Sequence, residues 1–437
     1  MKFKLFTLLA SLLPIAAFAE EAPKIDSGDT AWMMMSTALV LLMTPAGLAL
    51  FYAGMTRTKN ALNTFAMVMG AFVLAMVVWI VAGYSIAFGT SESAALQNVF
   101  GGFGNVLLSG IKWTDLSGTY PTYVFVAFQG TFAAITVAIA SGSVIGRMKF
   151  STWMVIVALW GLIVYAPITH MVWGGEGAYL FDAGALDFAG GTVVHMNGGL
   201  AGLVLAILVG KRHGYPKQAM MPFSILLTAA GAALLWFGWY GFNGGSAFGA
   251  NAIAGLAVLT TTVATAAAGV TWLLIEWIIF KKPTLLGIAS GIVAGLVAIT
   301  PAAGFVSVGG AFIVGIIGAI IGFFGVVVLK KKLGYDDSLD AFGIHFLAGL
   351  WGAIATGILA LNDKDLLWDG PMKESGDRMG QIMVQFQSVL VVGAWTLIGT
   401  IIVYYIATLI TSGSRVDQDE EEMGLDESVH GEKAVNL

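Results

Sequence analysis

The chain has 437 residues, of which 58% are hydrophobic and only 11% charged. Soluble domains carry about 25% charged residues, so a set of soluble domains is excluded and a polytopic membrane protein remains. The net charge of −5 comes without a basic patch, which argues against a nucleic-acid partner; the absence of cysteine excludes disulfides, thiolate nucleophiles and zinc–thiolate sites.

Residues 1–19 read as a cleavable signal peptide. Lys2 and Lys4 supply the positive start, Leu5 to Ala17 a short apolar core, and Ala17-Phe18-Ala19 a small-x-small cleavage site. The alternative is an extra membrane helix, but the run is short for one and Pro14 interrupts it. Residues 20–30 then form a short periplasmic N-terminus. Apolar runs of spanning length follow near 31–55, 62–89, 121–146, 152–173, 192–210, 222–243, 251–280, 284–303, 309–329, 341–361 and 383–411. The pattern predicts an all-α polytopic membrane protein with eleven transmembrane helices over 31–411. The 57 glycines suit close helix packing.

Positive charge sets the orientation. Alternate connections hold Arg57 and Lys59, Arg147 and Lys149, Lys211, Arg212 and Lys217, Lys281 and Lys282, and Lys330 to Lys332. The opposite connections are poor in lysine and arginine. The rule that positive loops stay inside places the N-terminus outside and residues 412–437 in the cytoplasm. An odd number of spans requires the same arrangement.

Two spans carry one signature. His195-Met196-Asn197-Gly198-Gly199-Leu200-Ala201-Gly202 and His345-Phe346-Leu347-Ala348-Gly349-Leu350-Trp351-Gly352 both read His-x-x-x-Gly-Leu-x-Gly. They lie on the fifth and tenth spans. An odd separation makes those helices run in opposite directions, the mark of an inverted 5+5 repeat with one extra helix. Ionisable residues in membrane segments are costly and mark function. The two histidines either sit as separate core residues bonded to carbonyls, or meet on the pseudo-two-fold axis and line one narrow path. No third ligand stands at metal spacing, so no metal or other cofactor is expected.

Other candidates have two uses each. Asp187, in Asp187-Phe188-Ala189-Gly190-Gly191, can cap the helix that bears His195 or bind a cation directly. Trp173 can anchor the chain at the interface or hold a small cation over its ring. Phe242 and Ser246 lie at the outer end of the sixth span, and the Ser246 hydroxyl can accept a hydrogen bond from a cation.

These residues resemble the ammonium transporter (Amt/Mep/Rh) family, bacterial Amt type. The likeness runs through Phe51-Tyr52-Ala53-Gly54, Val126-Ala127-Phe128-Gln129-Gly130, His170-Met171-Val172-Trp173-Gly174-Gly175, Asp187 to Gly202, Gly241 to Ser246, and Phe342-Gly343-Ile344-His345. The resemblance implies a homotrimer with one hydrophobic pore per subunit. It implies that Trp173 and Ser246, with Phe128 beside them, recruit ammonium at the outer mouth. Phe128 and Phe242 would form the gate, His195 and His345 the pore pair and proton relay, and Asp187 the support of the recruitment site. It further implies ammonium or ammonia as cargo, methylammonium as an analogue, and the cell inner membrane with its lipid as the location. Gly424 to Glu432 resembles a cytoplasmic tail that cooperates with a P-II signalling protein; a disordered acidic tail is the other possibility.

Intramembrane proteases need Gly-x-Ser-Gly or His-Glu-x-x-His, and neither occurs, so no enzyme is expected. The expected function is transport of ammonium or ammonia, with an ammonium sensor acting through a P-II protein as the alternative. The resemblance implies no residue roles in the connections near 90–120 and 361–381.

Overall fold

The computed structural model describes residues 24–435, and the expected signal peptide lies outside the described residues. Ten helices among them are long and apolar enough to cross a membrane. They are α1 (Ser27–Met55), α2 (Thr58–Phe88), α3 (Thr122–Ser141), α4 (Phe150–Trp173), α5 (Gly191–Val209), α6 (Ile225–Gly245), α7 (Ala252–Phe280), α9 (Val308–Leu333), α10 (Phe342–Leu359) and α11 (Arg378–Ile410). An eleventh apolar helix, α8 (Leu285–Ile299), is shorter. The protein is thus an all-α polytopic membrane protein.

The short α8 departs from the expected run of 284–303. Proline lacks an N–H and cannot continue the hydrogen-bond ladder, so the helix stops just before Pro301. Fifteen residues rise only about 22 Å, less than a hydrocarbon core of about 30 Å. The remaining depth is crossed by non-helical chain in which Ala302, Ala303, Phe305 and Val306 are wholly buried. Irregular backbone at membrane depth is tolerated where protein, not lipid, surrounds it.

Helix starts follow from local chemistry. A free helix N-terminus leaves its first N–H groups unpaired, and a short polar side chain satisfies one of them. Asp26, Ser224, Asn251, Thr284, Ser307 and Asp377 accept in this way from Asp29, Leu227, Ala254, Gly287, Gly310 and Gly380. These open α1, α6, α7, α8, α9 and α11.

The His195 and His345 segments pack on each other reciprocally. A β-carbon on Gly199, four residues past His195, would stand 2.4 Å from the Phe346 nitrogen. A β-carbon on Gly349, four residues past His345, would stand 3.2 Å from both the His195 β-carbon and the Met196 nitrogen. Each helix lays its glycine on the residues beside the other's histidine, as a two-fold relation requires. Each histidine also lies in a wide π-helical turn, Gly191–Met196 or Phe342–Leu347. Eight residues before each stands an aspartate, Asp187 or Asp337, that accepts N–H groups at the start of its helix.

The arginine- and lysine-rich connections gather on one face. Arg147 is wholly buried and donates to the Gly210 and Asp336 carbonyls and the Ser338 hydroxyl. Burial pulls its guanidinium down to about 10. Arg212 meets Asp336 through two nitrogens, the shorter contact being 2.6 Å. Three connections are tied together by these two arginines and one carboxylate.

Candidate functional site

At the lysine-poor face a cavity of about 490 Å³ opens among α3, α4, α6 and the connection before α11. Trp173, Ser246, Gln129 and Phe132 line it, and Leu366 to Asp369 wall its outer side. The segment 361–377, to which no role was assigned from sequence, therefore shapes the mouth.

The orientation of each group has a local cause. Gly190 adopts φ +109°, open to glycine, and a β-carbon there would meet Val194 and the Trp173 ring. That turn lets the Asp187 carboxylate fold back onto the start of α5. Its two oxygens accept from the Gly190, Gly191, Thr192 and Val193 nitrogens and the Thr192 hydroxyl, at 2.5–3.1 Å. The Asp187 carbonyl accepts the Trp173 indole N–H at 2.8 Å. Of the two uses expected for Asp187, the geometry is that of a cap: it is 1% exposed, both oxygens are occupied, and it does not line the cavity. Ser246 lines the cavity and donates to the Phe242 carbonyl at 2.8 Å, so its hydroxyl has only acceptor capacity left.

At the inner end of the cavity two phenylalanine rings stack, and the pair differs from the one expected from the sequence. The ring stacked on Phe242 is Phe132, with centroids 4.1 Å apart, not Phe128. Phe132 also meets Trp173 edge-on at 6.3 Å. Phe128 is wholly buried, packed against Phe132 and Phe248, and does not line the cavity. Phe125, Gln129 and Phe132 are spaced as one helical stripe and all line the cavity; Phe128 sits at the stripe's edge one turn before Phe132. Spacing does not distinguish two phenylalanines one turn apart.

Beneath the rings lies the histidine pair. His195 ring contacts run to Phe242 at 5.8 Å, to Trp239 at 5.2 Å and to His345 at 5.4 Å. The two Nδ1 atoms are 3.2 Å apart. His195 is wholly buried and His345 is 4% exposed. A hydrogen bond between like nitrogens requires that one carry the proton and the other not, so the rings hold different tautomers. The Nε2 of His195 is buried without a partner. Trp239, not singled out from sequence, donates to Thr300 and stacks on His195 at 17°. Its signal was its place three residues before Phe242 on the same helix.

At the basic face the tail is folded, not loose. Asp426 accepts from the Leu62 and Asn63 nitrogens at the start of α2, and Leu425 donates to Asn60. Glu421 pairs with Arg415 at 2.6 Å and accepts from the His213 nitrogen. Lys59 donates to the Glu422 carbonyl.

The chain matches the sequence model of the Ammonium Transporter Family over residues 31–435. It is 45% identical to an ammonium transporter of Aquifex aeolicus, with 98% of each chain covered. It is 43% identical to an ammonium transporter of Bacillus subtilis, covering 94% of this chain and 99% of that one. Among solved structures it is similar to Candida albicans Mep2, with a TM-score of 0.82 at 33% identity over 91% of this chain and 88% of that one. It is also similar to a protein described as Sensor Amt Protein, with a TM-score of 0.84 at 28% identity over 92% and 98% of the two chains.

Proposed function

The chain belongs to the ammonium transporter family, and from that premise we propose how it moves its substrate. Ammonium is recruited in the cavity by the Trp173 ring and the Ser246 oxygen. It gives up a proton there to water at the cavity mouth, and ammonia passes Phe132 and Phe242 to the histidine pair. The observation that carries this reading is the unbroken file of contacts from Trp173 through Phe132 and Phe242 to His195 and His345.

Physical chemistry favours fragmentation over passage of the ion. A bare cation in an apolar, ring-lined path faces a large desolvation cost. Ammonia has no such charge and hydrogen-bonds to imidazole. Potassium has no proton to release, so the same path rejects it. The opposed Nδ1 atoms supply a donor and an acceptor in contact, which suits a proton relay. Passage of a proton along the pair to the inner side, where ammonia takes it up again, makes transport electrogenic. Asp187 stays a support: its charge helps hold a cation at Trp173 through the backbone it organises.

The protein works in the cell inner membrane as a homotrimer, with its N-terminus outside and the basic face and tail inside. That face is the docking place for a P-II protein. The opposition of lysine-rich and lysine-poor faces supports this orientation.

Proteoliposomes given an ammonium pulse test the mechanism. A transient current with ammonium but not potassium, changed to an unselective or absent one by His195→Ala, is expected. An internal pH rise without current points to neutral ammonia alone. Silence in both measurements, with wild-type protein inserted, moves the sensor alternative forward.

A further inference from the structure

We infer that Gln129 is a direct ligand of the recruited cation and sets the preference for ammonium over its methylated analogue. This rests on the recruitment reading above and adds a residue to it. Gln129 lines the cavity beside Trp173, Phe132 and Ser246. It is 3% exposed, and its Oε1 is buried with no hydrogen-bond partner. A buried carboxamide oxygen without a donor loses the water it would otherwise bind, and such a group calls for an explanation. An ammonium ion supplies the missing donor.

The remaining walls make the oxygen necessary. Ammonium has four N–H donors. The Trp173 and Phe132 rings satisfy some of them through their faces. Ser246 offers one oxygen, its own proton being committed to the Phe242 carbonyl. The Asp187 carboxylate is closed by its five donors. Asp369, at the rim, is paired with Lys373 at 3.0 Å. Gln129 is therefore the second neutral side-chain oxygen, one helical turn above Phe132. It lines the cavity in which the recruitment reading seats the cation.

Methylammonium has three N–H donors and one methyl group. It needs one acceptor fewer and gains from an apolar wall. Replacing the carboxamide by an alkyl group of like size should therefore hurt ammonium more than methylammonium.

The test is saturation of transport current in proteoliposomes by ammonium and by methylammonium, for wild type and Gln129→Leu, at equal inserted protein. A hydrogen bond to a charged group supports a rise in the ammonium KM of about ten-fold, with a smaller rise for methylammonium. The loss should fall on KM, and the KM ratio between the two cations should move toward methylammonium. A purely structural role would shift both cations alike. Gln129→Met, unbranched and close in size, decides the matter if the leucine variant does not insert. Equal KM changes for both cations, or none, overturn the inference. Absence of any ammonium response in wild type overturns the recruitment reading instead.

Discussion

Phe132 shows how much one residue decides. It lines the cavity, stacks on Phe242 and meets Trp173 edge-on, and in the proposed mechanism it is half of the closure. Phe132→Ala should open a gap the width of a ring and admit water. The expected outcome is a potassium leak in liposomes, read by a potential-sensitive dye, where wild type has none. Phe128→Ala removes a ring packed against protein rather than the path, and its cost should appear first as stability, about 3–5 kcal/mol for a buried Phe truncation. Thermal unfolding in detergent measures it. The histidine pair was legible in sequence because an ionisable residue in an apolar span is rare and here it recurs. Phe132 was not, because a helix places positions 128 and 132 nearly on one line and depth leaves no mark in the pattern. Gln129 was not legible either, since an amide on a buried stripe has no distinguishing spacing.

At the scale of elements, glycine sets how near the two histidine helices come. A β-carbon at Gly199 meets backbone at 2.4 Å; at Gly349 its nearest contact, the Gly191 carbonyl, is at 2.9 Å. Gly199→Ala should therefore be the more damaging change. Overpacking of this kind costs about 1–3 kcal/mol and pushes the 3.2 Å nitrogen contact apart. A lower melting temperature together with lost current for Gly199→Ala, and a milder effect for Gly349→Ala, would bear this out; the reverse order would refute it. The spans themselves were readable because long apolar runs with polar caps have one structural outcome in lipid. The early end of α8 is visible only in hindsight at Pro301. The connection 361–377, which walls the cavity, carries no periodicity and takes its shape from the helices it rests on.

Over the whole molecule, the basic face is held by charges in a dry setting. Burial alone would raise the Asp336 carboxyl, but hydrogen bonds and charge from Arg212, with Arg147 beyond, outweigh it and hold it below its ordinary value of 3.8. A folded value below the unfolded one means the contribution is full above the ordinary carboxylate range. It fades as pH falls through the lower folded value. Acid titration of detergent-solubilised protein should show stability that holds at neutral pH and drops below about pH 4. Asp336→Asn should remove that acid limb and cost about 3–5 kcal/mol at neutral pH, because two buried guanidiniums lose their counter-charge. An unchanged melting temperature in the variant would show the pair to be idle.

The tail's hold on α2 also reaches into biosynthesis. The Leu62 nitrogen finds its acceptor 364 residues later, at Asp426. A growing chain therefore threads every helix into the bilayer while the second still lacks its end-cap, which arrives only with the tail that follows α11. A product cut short by a late stop codon would contain the entire pore and yet be unfinished at its second helix.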